Sequence, residues 1–114
     1  MSKIVDSIIG HAIGDAMGMP TEFYQRKNLL KNPITEMIGS EKTQQQAGSW
    51  TDDTSMEIAT IDSFIQNNEF DYSDIMTKWC EWLNKGEYTP NGDCFDVGRT
   101  CLRACRNFTT GIEP

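Results

Sequence analysis

The sequence predicts an all-α protein, a helical bundle of about four main helices. Two observations carry this. Apolar residues recur at three- and four-residue spacing over most of the chain, and no stretch alternates apolar with polar residues as a half-buried strand would. With 114 residues, 38% of them hydrophobic, the chain is expected to form a single domain, 1–114, around one modest core.

The first helix takes its apolar face from Ile4, Ile8, Ile9, Ala12, Ile13 and Ala16. It is expected to end near Gly18-Met19-Pro20, where glycine permits a left-handed exit and proline cannot continue the ladder. Gly10, Gly14 and Gly18 suggest a close approach to another backbone, and His11 reads as a half-buried surface residue rather than a ligand. Residues 24–50 are polar and carry Pro33, Gly39 and Gly48, so they read as one long irregular loop, a length that marks function or disorder in a small domain. A second helix opens at Asp52 to Thr54, where Thr54-x-x-Glu57 has capping-box spacing, and turns Met56, Ile58, Ala59, Ile61, Phe64 and Ile65 inward. A third follows Asp71, with Tyr72, Ile75, Met76, Trp79 and Leu83 at helical spacing, and stops at Gly86. The fourth begins around Phe95 to Gly98 and runs to about Phe108.

Charge and cysteine usage exclude several classes of function. A net charge of −7 with scattered Lys and Arg argues against binding a nucleic-acid backbone, which needs clustered cations. The N-terminal run is interrupted by Asp6 and has no signal-peptide pattern, and no apolar stretch approaches the ~20 residues of a membrane span. Cys80, Cys94, Cys101 and Cys105 form no CxxC pair and read as reduced thiols, so a cytoplasmic location is expected. Cys101 and Cys105 share an i, i+4 spacing, but a zinc site would need two further ligands.

The chemistry concentrates in GSWTDDTSME, residues 48–57. Asp and Thr at a helix start accept hydrogen bonds from free backbone N–H groups, which accounts for one acid of the pair. Two adjacent carboxylates repel unless something positive lies between them. Thr51, Asp52 and Asp53 together offer three hard oxygen donors of the kind Mg²⁺ takes. Upstream, GHAIGDAMGMPTEF sets Asp15 within an apolar helix, where a hydrogen-bonded packing role is expected, and Glu22 just beyond Pro20.

Three blocks in order, GDAMGMPTEF, GSWTDDTSMEIA and NGDCFDVGRTCLRA, resemble the ADP-ribosylglycohydrolase family, which includes the dinitrogenase reductase-activating glycohydrolases. The resemblance covers residues 4–106 and implies the N-terminal part of that all-α fold. It implies a binuclear Mg²⁺ site, with Mn²⁺ as a substitute, and removal of ADP-ribose from modified side chains or related adducts. By position, Thr51, Asp52 and Asp53 match metal ligands. Glu22 matches an acid with a metal-contacting or catalytic part, and Asp96 an acid near the ribose. Gly98 matches a close backbone approach to the ligand, and Ser49 is a further substrate-binding candidate. Asp15 matches structural support. Cleavage at the anomeric carbon develops oxocarbenium character, which nearby negative charge favours, and either Glu22 or Asp96 would move the proton.

Members of that family are longer and carry a later Asp-Thr-Asp-Thr block, which the stretch after Cys105, RNFTTGIEP, does not resemble. A piece of a longer protein, a complementing chain or a homodimer is therefore expected, with apolar helix faces left uncovered. The alternatives to a hydrolase are a non-catalytic ADP-ribose- or metal-binding module and a helical interaction protein in which the acidic pair only caps a helix.

Overall fold

A computed structural model of the chain describes residues 2–114. The architecture is all-α: α1 (Lys3–Gly18), a 3-10 turn (Met19–Thr21), α2 (Arg26–Lys31), α3 (Asp52–Asn67), α4 (Tyr72–Lys85) and α5 (Arg99–Thr109). Four of the five helices are long, as the periodicity predicts. The chain divides into two compact units, Met1–Thr51 and Asp52–Pro114.

In the first unit, Ser2 caps α1 by accepting from Ile4 N–H. The helix runs straight into the 3-10 turn, whose first residues Met19 and Pro20 are buried. Proline is tolerated there because its missing N–H would be unpaired in a first turn anyway. The apolar face of α1 is less covered than its pattern predicts. Ala16 and Met19 are buried, whereas Ile4, Ile9 and Ile13 are 72%, 46% and 53% exposed. The glycine edge behaves likewise, since a methyl group built on Gly10, Gly14 or Gly18 would meet nothing within 4 Å. The close backbone approach read from those glycines does not occur, and His11 is exposed rather than half-buried. The folded chain is therefore expected to bind a hydrophobic dye such as ANS through this stripe. The double substitution Ile9→Lys, Ile13→Lys should remove most of that fluorescence while leaving the helical circular dichroism intact.

The stretch 24–50 is more ordered than a single irregular loop. It holds the short helix α2, and an antiparallel bridge joins Ser40 to Gln45 through N–H···O bonds of 2.8 and 3.0 Å. Six-residue α2 has no apolar periodicity long enough to read from sequence, and its ends are fixed by backbone bonds.

In the second unit α4 packs between α3 and α5. Asp71 caps α4 by accepting from Asp74 N–H, and Gly86 ends it in the left-handed conformation at φ 72°. A side chain at Gly86 would also collide with the Gly92 carbonyl, so the helix end and the loop after it meet at a point only glycine fits. The core comprises Met76, Cys80 and Cys105, with Trp79, Leu83, Ala104 and Phe108 against it. Trp82 is the largest fully buried side chain. Burial, reinforced by neighbouring Cys80, pushes the Cys105 thiol up to about 12, consistent with an inert core cysteine.

Two expectations for α3 are corrected. It starts at Asp52, so Thr54 lies within the first turn and Thr54-x-x-Glu57 is not a capping box. Its buried residues are small (Thr54, Ser55, Ala59 and Ser63), whereas Phe64 and Ile65 are exposed, Phe64 lying 5.1 Å from the Phe70 ring. Polar contacts join α3 to α4. Trp79 Nε1 donates to Thr60 Oγ1 and the Met56 carbonyl, and Ser63 Oγ donates to Asp74 at 2.6 Å. Lys78 is buried and reaches Gln66 at 3.1 Å, Asp62 at 3.3 Å and Asp74 at 3.8 Å.

Asp62 also accepts from the Tyr88 hydroxyl at 2.7 Å. That bond is the main cause holding the Asp62 carboxyl below the usual carboxylate range, with Lys78 and Gln66 adding to it against the opposing effect of burial. A depressed folded-state pKa gives stability that is present above the unfolded value and lost as pH falls through the folded one. The stability gap between the wild type and Asp62→Asn is therefore expected to be largest at neutral pH and to narrow below about pH 4. Urea midpoints at neutral and acid pH measure it.

Candidate functional site

Thr51 is the residue just before α3, and its surroundings are built by the first unit. It is 2% exposed and is gripped by one carboxylate of α1. Asp15 Oδ2 accepts from Thr51 N–H at 2.9 Å, and Asp15 Oδ1 accepts from Thr51 Oγ1–H at 2.7 Å. The carboxylate thus accepts from a backbone N–H next to the helix start and from the hydroxyl of the same residue. The supporting role read for Asp15 is what the structure shows.

Asp52 and Asp53 form the first turn of α3, where the helix dipole favours negative charge. Asp53 is exposed and Asp52 half-buried. Asp52 Oδ2 accepts from the backbone N–H of Gly98, the residue that opens α5, at 3.1 Å. Gly98 has no side chain to cap α5, and the Asp52 bond satisfies its backbone N–H instead. A methyl group at Gly98 would sit an ordinary 3.8 Å from Asp52 Oδ2, and its φ is −65°, so nothing in the chain's own packing requires glycine there.

Within each unit, a named linkage joins two of the motif blocks that sequence reading could only align in order. Asp15 of the first block holds Thr51 of the second, and Asp52 of the second holds Gly98 of the third. Asp96 is half-buried two residues before Gly98, and its carbonyl accepts from Cys94 Sγ at 3.5 Å. Burial, with Asp52 nearby, pushes the Cys94 thiol up, so this cysteine is a poor nucleophile. Ser49 is buried, its N–H bonded to the Gln46 carbonyl at 3.2 Å.

Glu22 follows the 3-10 turn, its N–H bonded to the Met19 carbonyl, and its Oε2 is shut off from solvent. The next residue, Phe23, has φ 64° although it is a bulky aromatic, and its ring is 74% exposed. Such a conformation costs about 1–2 kcal/mol. Two contacts of Lys42 oppose that cost. Its Nζ donates to the Phe23 carbonyl at 3.1 Å and lies 3.7 Å from the centre of the Tyr24 ring. Contacts of these kinds contribute about 0.5–1 kcal/mol each at an exposed site, comparable with the strain. Sequence reading missed Lys42 because its partners lie some twenty positions upstream. An open cleft of about 380 Å³ adjoins this turn, with Pro20, Tyr24, Leu29, Ile38 and Glu41 among its walls.

Among the described residues no group of three or more His, Cys, Asp or Glu side chains is arranged to hold a metal ion. The oxygen donors of Thr51, Asp52 and Asp53 are of a kind that suits a hard divalent cation. Among the described residues no helix is long and apolar enough to cross a membrane.

The chain is 36% identical over 108 residues to ADP-ribosylarginine hydrolase Tri1 of Serratia proteamaculans, covering 95% of this chain and 29% of that protein. It is 36% identical over 104 residues to the Pseudomonas putida protein of the same name, covering 91% and 27%. To the ADP-ribosyl-[dinitrogen reductase] glycohydrolase of Rhodospirillum rubrum it is 28% identical over 108 residues, covering 93% and 34%. The chain thus spans about a third of the length of these relatives. The family described as ADP-ribosylglycohydrolase matches residues 1–114 from end to end, and the chain belongs to that family.

Proposed function

We propose that this chain contributes the first half of a divalent-metal-dependent site that removes ADP-ribose from modified substrates. The observation that carries the reading is the pair of linkages Asp15–Thr51, within the first unit, and Asp52–Gly98, within the second, each of which bonds residues of two motif blocks. The relatives named as hydrolases of ADP-ribosylarginine make an arginine-linked adduct the first substrate to test.

In this reading Thr51 Oγ1, Asp52 and Asp53 would hold Mg²⁺, with Mn²⁺ as a substitute. Asp15, which accepts from the Thr51 hydroxyl, would fix the orientation of that hydroxyl. When bound, the metal pair screens the acidic segment, orients ribose hydroxyls and acidifies water. Asp96 lies beside the ribose and opposes the positive charge that develops at the anomeric carbon, with Gly98 and Ser49 lining the substrate. Glu22, whose Oε2 is shut off from solvent, moves the proton.

The test begins with binding. Mn²⁺-induced broadening of amide signals is expected at residues 51–53 and should vanish in the Asp52→Ala, Asp53→Ala double variant. Equal broadening in both proteins would reduce the acidic pair to helix caps. That second reading has one observation in its favour, since Asp52 already serves the N–H that opens α5. Where turnover is obtained, Glu22→Gln should lower kcat, whereas Asp96→Asn should also raise KM.

A further inference from the structure

We propose that Lys42 is a positioning residue for Glu22, acting with Thr43 from the 40–45 hairpin to fix the turn that carries the acid. The proposal rests on the reading of Glu22 as an acid of the site and adds what holds it in place. The hairpin is itself fixed. Ser40 and Gln45 exchange two backbone bonds, Thr43 N–H donates to Ser40 Oγ at 3.3 Å, and Gln45 Nε2 donates to the Thr43 carbonyl at 3.1 Å.

From this frame two side chains bracket Glu22. Thr43 Oγ1 donates to Met19 Sδ at 3.5 Å, three residues before the acid, and Met19 is 1% exposed. Lys42 Nζ donates to the carbonyl of Phe23, the residue directly after it, and covers the ring of Tyr24. Between these points the backbone bonds Glu22 N–H to Met19 O, at 3.3 Å, and Tyr24 N–H to Thr21 O, at 3.2 Å, close the turn. Phe23 is the strained link, a left-handed aromatic with its ring in solvent, so its own side chain gives little reason for the conformation. A cation on its carbonyl gives one. Released from Lys42, Phe23 relaxes to negative φ, and the direction in which Glu22 leaves the backbone changes with it.

The experiment uses NMR on the 114-residue chain and needs no turnover. In Lys42→Ala the amides of Glu22 and Tyr24 are expected to exchange with solvent about tenfold faster, with α4 amides unchanged. The Glu22 side-chain carboxyl ¹³C resonance should move as well. Lys42→Arg, which keeps both the donor and the cation over Tyr24, should restore both signals. Lys42→Met, which keeps the apolar stem, carries the same test if the alanine variant does not fold. Unchanged exchange would overturn the proposal. So would faster exchange with an unmoved Glu22 carboxyl, because Lys42 would then brace the turn without reaching the acid. Neither result bears on whether Glu22 moves a proton, which Glu22→Gln decides separately.

Discussion

The 114-residue chain alone is expected to release ADP-ribose from an arginine-linked substrate at no more than background. Activity should appear when a polypeptide corresponding to the remaining length of a relative is added, and should disappear again with Asp53→Ala. The reason is a count of ligands. In the proposed site Thr51, Asp52 and Asp53 would supply three oxygen donors, and hard divalent cations take six or more. Transition-state stabilisation by a cation requires that it be held in place, and its loss is worth several kcal/mol, or about two or more orders of magnitude in rate. Release of free ADP-ribose, followed by chromatography with and without Mg²⁺, reads the outcome. Robust Mg²⁺-dependent turnover by the chain alone would overturn the prediction. It would mean that Glu22, Asp93 or Asp96 completes the coordination.

Asp15→Ala is expected to be the most damaging single substitution for stability at the site. It removes the acceptors of two bonds, to the N–H and the hydroxyl of Thr51, which is 2% exposed. Loss of a partner from a buried donor costs about 1–3 kcal/mol, so a total loss of about 2–4 kcal/mol is expected. For a chain of this size that is a fall in Tm of roughly 8–16 °C. Asp15→Asn keeps one acceptor and should fall about half as far. Thermal unfolding by circular dichroism measures both. If Asp15 also orients the Thr51 hydroxyl, Mn²⁺ affinity should drop in Asp15→Asn even at temperatures where the variant is fully folded.

The elements that repeat an apolar residue over three or more turns were legible in the sequence. α4 is the clearest case, because its start at Asp71 and its stop at Gly86 are both chemical necessities of helix ends. The motif residues could likewise be found from sequence, since two adjacent acids after Trp50 need an explanation that a helix cap gives only in part. The tertiary structure decided which apolar residues are covered. Ile4, Ile13 and Ile65 carry a core pattern and stand exposed, because periodicity names a face without naming what lies against it. It also decided the long-range polar partners. Asp15 meets Thr51 across 36 positions, Gly98 meets Asp52 across 46, and Lys42 reaches back to Phe23 across 19. A hydrogen bond depends on the positions of two atoms to within a few tenths of an ångström, and sequence spacing fixes such positions only within one element. The sequence by itself determined that this protein is helical, and its motifs marked the residues proposed to carry chemistry. The fold alone decided which of those residues hold one another in place.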